Sequence, residues 1–274
     1  MSTTNRARFV TVKTEGALLP ADLLQRIAAG EEEGLTPTDY HLGEHERVKE
    51  AISRAWSRCL GAWQVFAERR AVLPPGDPGT TLTRERWLLI LFQELGYGRL
   101  PAARTLAVDG QNYPVSHLWG RTPLHLVGCG QCLDAPFSAP GLPRRSPHSL
   151  MQELLNRSSE HLWGIVSNGL HLRLLRDNKS LTRAAYLQFD LLAMMTDQVY
   201  ADFALLWLVC HESRVPRNEP AACWLERWSR AAAERGTRAL ETLRAGVEGA
   251  IALLGRGFLA HPANADLRAR LRSG

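Results

Sequence analysis

The chain has 274 residues, of which 45% are hydrophobic, and it carries a formal net charge of +5. This length and composition are sufficient for one large globular domain or two small ones, with a hydrophobic core. No run approaches the roughly 18 consecutive apolar residues that a membrane span needs, and the polar first residues lack the apolar stretch of a signal peptide. The sequence therefore predicts a soluble, cytoplasmic protein.

Arginine supplies nearly all of the basic charge, because the only lysines are Lys13, Lys49 and Lys179. A GC-rich genome, which favours arginine codons, accounts for this bias without any function. Alternatively, the planar guanidinium is suited to bidentate contact with phosphate. A net charge of this size, diluted by many acidic residues, is only a hint of nucleic acid.

The five cysteines do not suggest a disulfide framework. An odd number of scattered cysteines, in a chain without an export signal, indicates reduced thiols. Cys129 and Cys132 form one C-x-x-C pair, but a structural zinc site needs about four ligands and no second pair is present. We therefore predict no metal site.

Residues 1–98 are predicted to form a helical N-terminal region. Apolar residues recur at spacings of three and four within residues 17–30, within residues 44–71 and again after Thr83. Trp63 falls on the apolar face of the second helix, so we interpret it as a core residue. The segment "VLPPGDPGTT" is the clearest break between helices in this half.

Residues 99–196 have a different pattern, with short extended runs around one helix. Asp109-Gly110 and Asn168-Gly169 each lie between two such runs and predict β-hairpins, the second with a type I′ turn and with strands at or near the sheet edge. Ser146-Pro147 suits an N-cap followed by proline at the first helical position. The predicted fold class is therefore α+β.

Residues 197–274 are predicted to be helical again. The apolar residues Leu240, Leu243, Val247, Ala250, Ile251 and Leu254 form a stripe that we expect to face a core. The last segment, "NADLRARLRSG", is typical of a helix that has only begun. We therefore expect the chain to be a fragment of something longer.

The familiar catalytic motifs are absent from the sequence. There is no G-x-x-x-x-G-K-[ST] loop, no G-x-G-x-x-G after a strand, no G-x-S-x-G and no H-E-x-x-H. Cys210, His211 and Glu212 are adjacent, but neighbours on a helix point in different directions, so we interpret them as buried packing residues.

The stretch "RRSPHSLMQELLNRSSEHLWGIVSNGLHLRLLRDNKSLTRAAYLQFDL" is the most distinctive part of the chain. It resembles the N-terminal region of restriction-associated adenine-specific DNA methyltransferases, which include type IIG-like enzymes and the methylases of BREX and DISARM phage-defence systems. The resemblance extends from "EGALLPADLLQRIAAG" to the last residues. In that family such a region precedes a larger methyltransferase core, and S-adenosylmethionine is the cofactor of the full-length protein.

The resemblance also implies a small mixed sheet like that of PD-(D/E)xK nucleases, in which acidic residues and an E-x-K strand hold Mg²⁺. Where E-x-K is expected, this sequence has Gly128-Cys129-Gly130, and neither Asp109 nor Asp134 restores the spacing. We predict a degenerate, nuclease-dead core. The alternatives are an active magnesium-dependent nuclease and an unrelated small sheet.

The methyltransferase motifs themselves are missing. An Asn/Asp-Pro-Pro-Tyr/Phe loop is needed to grip a flipped adenine, but the only Pro-Pro is Pro74-Pro75, which does not fit. We therefore expect no cofactor in this chain and no methylation by the chain alone. No catalytic, cofactor-binding or metal-binding residue is predicted.

The function predicted first is a non-catalytic accessory domain that engages duplex DNA. The candidate DNA-binding residues are Arg144, Arg145, Arg173, Arg176 and Lys179. Arg144 and Arg145 precede a helix N-terminus, a favourable place for a phosphate, and Arg173 alternates with two leucines and so leaves the apolar face. The alternative is a protein-interaction module that docks on the methyltransferase core or on another defence subunit.

Overall fold

The computed structural model describes residues 9–16, 18–136, 144–177 and 185–272. The protein is 54% helical and 15% strand, with a mixed sheet, so the predicted α+β class is confirmed. The chain divides into two compact units, Met1–Ser229 and Arg230–Gly274. The boundaries predicted after residues 98 and 196 both fall inside the first unit.

A six-stranded sheet organises the first unit. Its strand order is β1-β8-β7-β6-β5-β4, in which β5 and β6 are parallel and all other neighbours are antiparallel. A separate two-stranded sheet pairs β2 with β3. The strands are β1 Val12–Glu15, β2 Leu106–Val108, β3 Gln111–Tyr113, β4 His117–Trp119, β5 Thr122–Leu126, β6 Trp163–Ser167, β7 His171–Arg176 and β8 Tyr186–Asp190.

Strand β1 corrects the prediction that residues 1–98 are entirely helical. It pairs antiparallel with β8, with Val12 opposite Phe189. Asp202 anchors its start, since the carboxylate accepts hydrogen bonds from the backbone N–H groups of Val10 and Thr11 at 2.9 and 2.7 Å. These contacts join residues about 190 positions apart, and no local pattern in the sequence indicates them.

Helices account for most of the remaining structure. They are α1 Ala21–Ala29, α2 Val48–Ala71, α3 (residues 80–97, alternating α- and π-type turns), α4 Pro147–Arg157, α5 Leu191–Thr196, α6 Tyr200–Cys210, α7 Trp224–Ala260 and α8 Ala265–Arg272. Ser146 caps α4 as predicted, since its Oγ accepts from the backbone N–H of Ser149 at 3.0 Å. Within the part of the chain that the structure describes, no helix has the length and apolarity to cross a membrane.

The two predicted hairpins differ in detail. Asp109 and Gly110 both have positive φ (49° and 73°) and form a two-residue turn between β2 and β3. At the other hairpin only Gly169 has positive φ (79°), so the predicted type I′ turn is wrong. Asn168 instead shapes a longer loop through its side-chain oxygen, which accepts from the backbone N–H groups of Leu170 and His171.

The hairpin β6–β7 lies at the centre of the sheet, not at its edge as expected. Helix α3 contacts the turn of this hairpin, because Trp87 Nε1 donates to the carbonyl oxygen of Gly169 at 2.8 Å. A Cβ atom on Gly169 would lie 2.6 Å from Thr83 Cγ2. Glycine is therefore required here both by the backbone angle and by the close approach of α3. Trp63 contacts Trp87 edge to face, with ring centroids 5.2 Å apart, and is 5% exposed, which confirms its assignment to the core.

Helix α4 connects the parallel strands β5 and β6 and packs on one face of the sheet. Its buried side chains Met151, Leu154 and Leu155 share a hydrophobic cluster with Val166 of β6 and Leu175 of β7. Because side chains alternate along a strand, Arg173 lies on this same face of β7 as Leu175. The N-terminal end of α4 thus lies over the arginine that the sequence singled out.

Candidate functional site

A cavity of about 460 Å³ opens at the carboxyl ends of the parallel strands β5 and β6. It is lined by the loop of residues 129–134, by the hairpin loop with Asn168, Leu170 and His171, and by Arg173 and Gln188. This edge of a parallel pair is where α/β proteins commonly bind ligands. It is also where the resemblance implies that a nuclease would hold its metal.

The segment after β5, where the nuclease ligands would lie, has no room for a side chain at position 128. A Cβ atom on Gly128 would lie 1.9 Å from the carbonyl oxygen of Pro78, and one on Gly130 would lie 3.2 Å from the Asp77 carbonyl oxygen. The backbone N–H of Gly130 donates to the same Pro78 oxygen at 3.1 Å. The loop before α3 therefore fills the space that a glutamate at position 128 would need, so Gly128 is a packing requirement and a side chain at position 130 would be tightly confined.

The two acidic residues considered as metal ligands lie apart. Asp109 is exposed in the β2–β3 turn, while Asp134 lies in the cavity. Among the described residues, no group of three or more His, Cys, Asp or Glu side chains is arranged to hold a metal ion. Cys129 and Cys132 both line the cavity as free thiols.

Arg173 is the charged centre of the cavity wall, and its guanidinium is already occupied. Its Nη1 and Nη2 atoms donate to the two carboxylate oxygens of Asp134 at 2.5 and 2.7 Å, and Nε donates to Gln188 Oε1 at 2.6 Å. The guanidinium also lies 4.6 Å from the centroid of the Tyr186 ring. This hydrogen bonding by Arg173 lowers the pKa of the Asp134 carboxyl.

The orientation predicted for Arg173 is confirmed, since it lies on the sheet face opposite to Leu172 and Leu174. That face is covered as well, and Arg173 is only 7% exposed. Its contacts support a role in holding the loop of residues 129–134 against the sheet. Phosphate contact by Arg173 stays a prediction that this geometry does not favour.

Arg176 is also committed to partners within the protein. Its Nε and Nη2 atoms donate to the carboxylate oxygens of Glu226 at 2.9 and 3.0 Å, and Nη1 donates to Asp177 Oδ1 at 2.6 Å. The Glu226 side chain is 1% exposed and also accepts from Trp163 Nε1 at 3.3 Å. The hydrogen bond to Glu226 raises the pKa of Arg176. The pair ties the end of β7 to the first turn of α7.

The remaining candidate DNA-binding residues are the two arginines that precede α4, and Lys179. Arg144 is exposed and, among the described residues, has no hydrogen bond or ion pair. Arg145 lies over the Tyr113 ring at 5.5 Å, with Nη2 3.0 Å from Gln111 Oε1 and Nε 3.2 Å from Glu153 Oε2. Lys179 lies outside the described residues.

The N-terminus of α4 does not present free N–H groups to an anion. The N–H of Ser149 donates to Ser146 Oγ, that of His148 donates to the Leu133 carbonyl oxygen at 3.0 Å, and Pro147 has none. The expectation that this helix end would bind a phosphate therefore loses its physical basis. Only the side chains of Arg144 and Arg145 remain as phosphate contacts there.

The adjacent Cys210, His211 and Glu212 are buried, as predicted. His211 Nδ1 accepts from the backbone N–H of Ser213 at 3.2 Å, so the imidazole is held neutral. Burial, followed by the charges of Arg214 and His41, lowers the pKa of His211 to about 3. Cys210 and His211 act as packing groups at the end of α6, while Glu212 Oε1 lies 2.6 Å from His41 Nδ1.

The apolar side chains of α7 are exposed, although the sequence pattern predicted that they face a core. Five large apolar side chains expected to face a core are exposed instead: Leu240 by 69%, Leu243 by 64%, Val247 by 49%, Ile251 by 64% and Leu254 by 75%. We call these five residues the α7 stripe. The helical period was correct, but periodicity tells which face is apolar and not what covers it.

Comparisons with protein-family models, with curated proteins and with solved structures found no match for this chain. The resemblance to methyltransferase N-terminal regions and to the PD-(D/E)xK fold is therefore carried by the sequence alone, and both stay predictions.

Proposed function

We propose that this chain is a non-catalytic accessory module of an adenine-specific DNA methyltransferase of the restriction or phage-defence type, and that it works by binding another protein. The association with methyltransferases rests on the sequence resemblance. The observation that supports protein binding is the exposed α7 stripe.

The size of the stripe argues for a partner. Burying one large aliphatic side chain contributes about 1.5–3 kcal/mol, so leaving five exposed forgoes a free energy comparable to that of a modest protein complex. Monomeric soluble proteins rarely expose contiguous apolar patches larger than a few hundred Å². Leu253 is an exposed apolar residue outside the stripe, and on the opposite side of α7 Arg238 pairs with Glu234 at 3.6 Å. This is the usual arrangement for a helix with one face against protein and one against water.

The non-catalytic part of the proposal is supported by the turn after β5. Glycine at position 128 is dictated by the backbone oxygen of Pro78, so the glutamate of an E-x-K cannot be introduced there without moving that loop. The cavity instead holds the ion pair of Arg173 and Asp134.

The test is a methylation assay with a methyltransferase core from the same organism. We expect no transfer of labelled methyl groups to adenine by the chain alone, and a higher rate by the core when the chain is present. The variant Ile251→Lys is expected to lose this stimulation, while Arg238→Gln, on the opposite face of α7, keeps it. Methylation or cleavage of DNA by the chain alone would overturn the proposal, as would full stimulation by Ile251→Lys.

A second candidate function is contact with duplex DNA, which Arg144 favours because it is exposed and unpaired among the described residues. We expect salt-dependent binding of a labelled duplex, with the slope of log K against log[salt] falling by about 0.9 for each phosphate contact removed. Arg144→Gln and Arg145→Gln are the test variants, and the exposed Arg69 of α2, changed to Gln, is the matched control. Binding that these changes leave unaffected would remove the residue assignment, and absence of binding would remove the candidate.

A further inference from the structure

The α7 stripe has a spacing that is symmetric about Val247. Leu243 and Ile251 each lie four residues from Val247, and Leu240 and Leu254 each lie seven residues from it. In an ordinary heptad, the apolar neighbours of a given position lie four residues away on one side and three residues away on the other. Such a pattern is not symmetric about that position. The positions three residues from Val247 are instead Arg244 and Ala250, of which neither is a large apolar residue.

Such symmetry is what an antiparallel pair of identical helices requires. In a two-fold interface residue i meets residue j of the other copy, and j meets i. With the axis at Val247, that residue meets Val247 of the partner subunit. Leu240 then meets Leu254 of the partner subunit, and Leu243 meets Ile251 of the partner subunit. Every large apolar side chain of the stripe thus meets another one.

The residues beside the stripe fit the same arrangement. Phe258 lies eleven residues after Val247 and is 59% exposed, and Gly236 lies eleven residues before it. A Cβ atom on Gly236 would meet nothing within 4 Å in its own chain, so its own fold does not require this glycine. In the antiparallel pair the Phe258 ring lies over Gly236 of the partner subunit, which has no side chain to obstruct it.

The charges flanking the stripe are compatible with a second copy. Arg244, three residues before Val247, comes opposite Ala250 of the partner subunit. Glu248, one residue after, comes opposite Gly246 of the partner subunit. Arg244 Nε and Glu248 Oε1 already pair within the helix at 2.9 Å. No charge on this face is therefore placed against a like charge, which would oppose association.

We propose that the partner of the α7 stripe is a second copy of this chain, joined by antiparallel pairing of the two α7 helices about Val247. This inference rests on the proposed function and deepens it: the paired chain is the form that stimulates the methyltransferase core, so Ile251→Lys loses stimulation because it breaks the pair. The stripe and Phe258 would bury on the order of 500 Å² of apolar surface per copy. The lower end of stable interfaces is about 600 Å² per partner, so the apolar surface of the stripe falls just below it. The dimer is thus of modest affinity.

The first measurement is sedimentation equilibrium of the full chain over a range of concentrations. The weight-average mass is expected to rise from the 30.5 kDa of one copy toward twice that value. Val247→Glu and Val247→Lys each place two like charges across the axis, and each variant is expected to stay monomeric. The control Arg238→Gln, on the opposite face, is expected to dimerise like the unchanged chain. Circular dichroism verifies that each variant is folded.

The decisive measurement mixes the two monomeric variants in equal amounts. Because position 247 meets itself in this register, one glutamate then faces one lysine, and the mixture is expected to regain the mass of a dimer. Two monomeric variants that do not dimerise when mixed would overturn the register. A dimer that persists in both variants alone would overturn the interface.

The outcomes separate this inference from the proposed function. If the unchanged chain is monomeric at all concentrations but still stimulates methylation through Ile251, the inference fails and the proposed function stands. If it is monomeric and Ile251→Lys changes nothing in the methylation assay, both fail.

Discussion

Removing the guanidinium of Arg176 tests whether this arginine is structural. Two of its nitrogens donate to Glu226, whose side chain is 1% exposed, and this pair joins the end of β7 to α7. The variant Arg176→Gln keeps a polar side chain but removes the two hydrogen bonds that the guanidinium donates to the buried carboxylate. The expected result is a large loss of free energy of unfolding rather than a change in ligand binding.

The magnitude follows from the burial of the two partners. Breaking a buried ion pair by removing one partner typically costs 3–5 kcal/mol, because a buried charge is left uncompensated. Here Trp163 Nε1 still donates to Glu226, and the Arg176 side chain is 28% exposed, so water can enter. We therefore expect a loss of about 2–3 kcal/mol. The double variant Arg176→Gln/Glu226→Gln removes the buried carboxylate charge together with the guanidinium and is expected to recover at least about 1 kcal/mol.

The assay is urea unfolding of the full chain, followed by the fluorescence of its tryptophans, with the slope of free energy against urea compared among variants. The control Arg144→Gln changes an exposed side chain and should stay within about 0.5 kcal/mol of the unchanged chain. A loss below about 0.5 kcal/mol for Arg176→Gln would refute the reasoning. So would a double variant no more stable than the single one.

Two further predictions concern Gly128, with Gly61 as its control, and His211. Gly128→Ala is expected to destabilise the chain by about 2–3 kcal/mol, because its Cβ would overlap a backbone oxygen, whereas Gly61→Ala in α2, which meets nothing within 4 Å, should stabilise it by about 0.5–1 kcal/mol; urea unfolding measures both. His211 has a folded pKa of about 3, below its unfolded value near 6.5, so stability falls as the pH drops through that window. Between pH 7 and 5 the contribution of His211 to this loss should be about 2 kcal/mol, and His211→Gln should reduce the pH dependence by that amount, which unfolding curves at several pH values would show.

Local patterns were sufficient for the elements whose cause is local. The Asp109-Gly110 turn, the capping of α4 by Ser146 and the amphipathic α2 all depend on residues within a few positions of one another. Strand β1 could not be predicted in this way, because its partner β8 is far along the chain and its four residues have no distinctive alternation.

The candidate site was harder to predict for the same reason. The pattern of β7 correctly placed Arg173 away from the leucine face, but its partner Asp134 lies 39 positions earlier in a loop. Arg176 is paired with Glu226, 50 positions later. Whether an arginine is free for phosphate depends on such distant acids, which composition and periodicity do not reveal.

The net positive charge of the chain is divided unevenly between the two units. Arg173 and Arg176 are paired with acids in the first unit, and the fully buried Arg214 donates to the carbonyl oxygens of Gly34 and Asp39. A weakly hydrated, planar guanidinium suits such partly dry positions better than an ammonium does. Residues 230–274 contain eight arginines against four acidic residues, a net charge of +4 out of the chain's +5. The net positive charge therefore lies mainly on residues 230–274, where Arg244 flanks the stripe, Arg238 lies on the opposite side of α7, and Arg268 and Arg270 belong to α8.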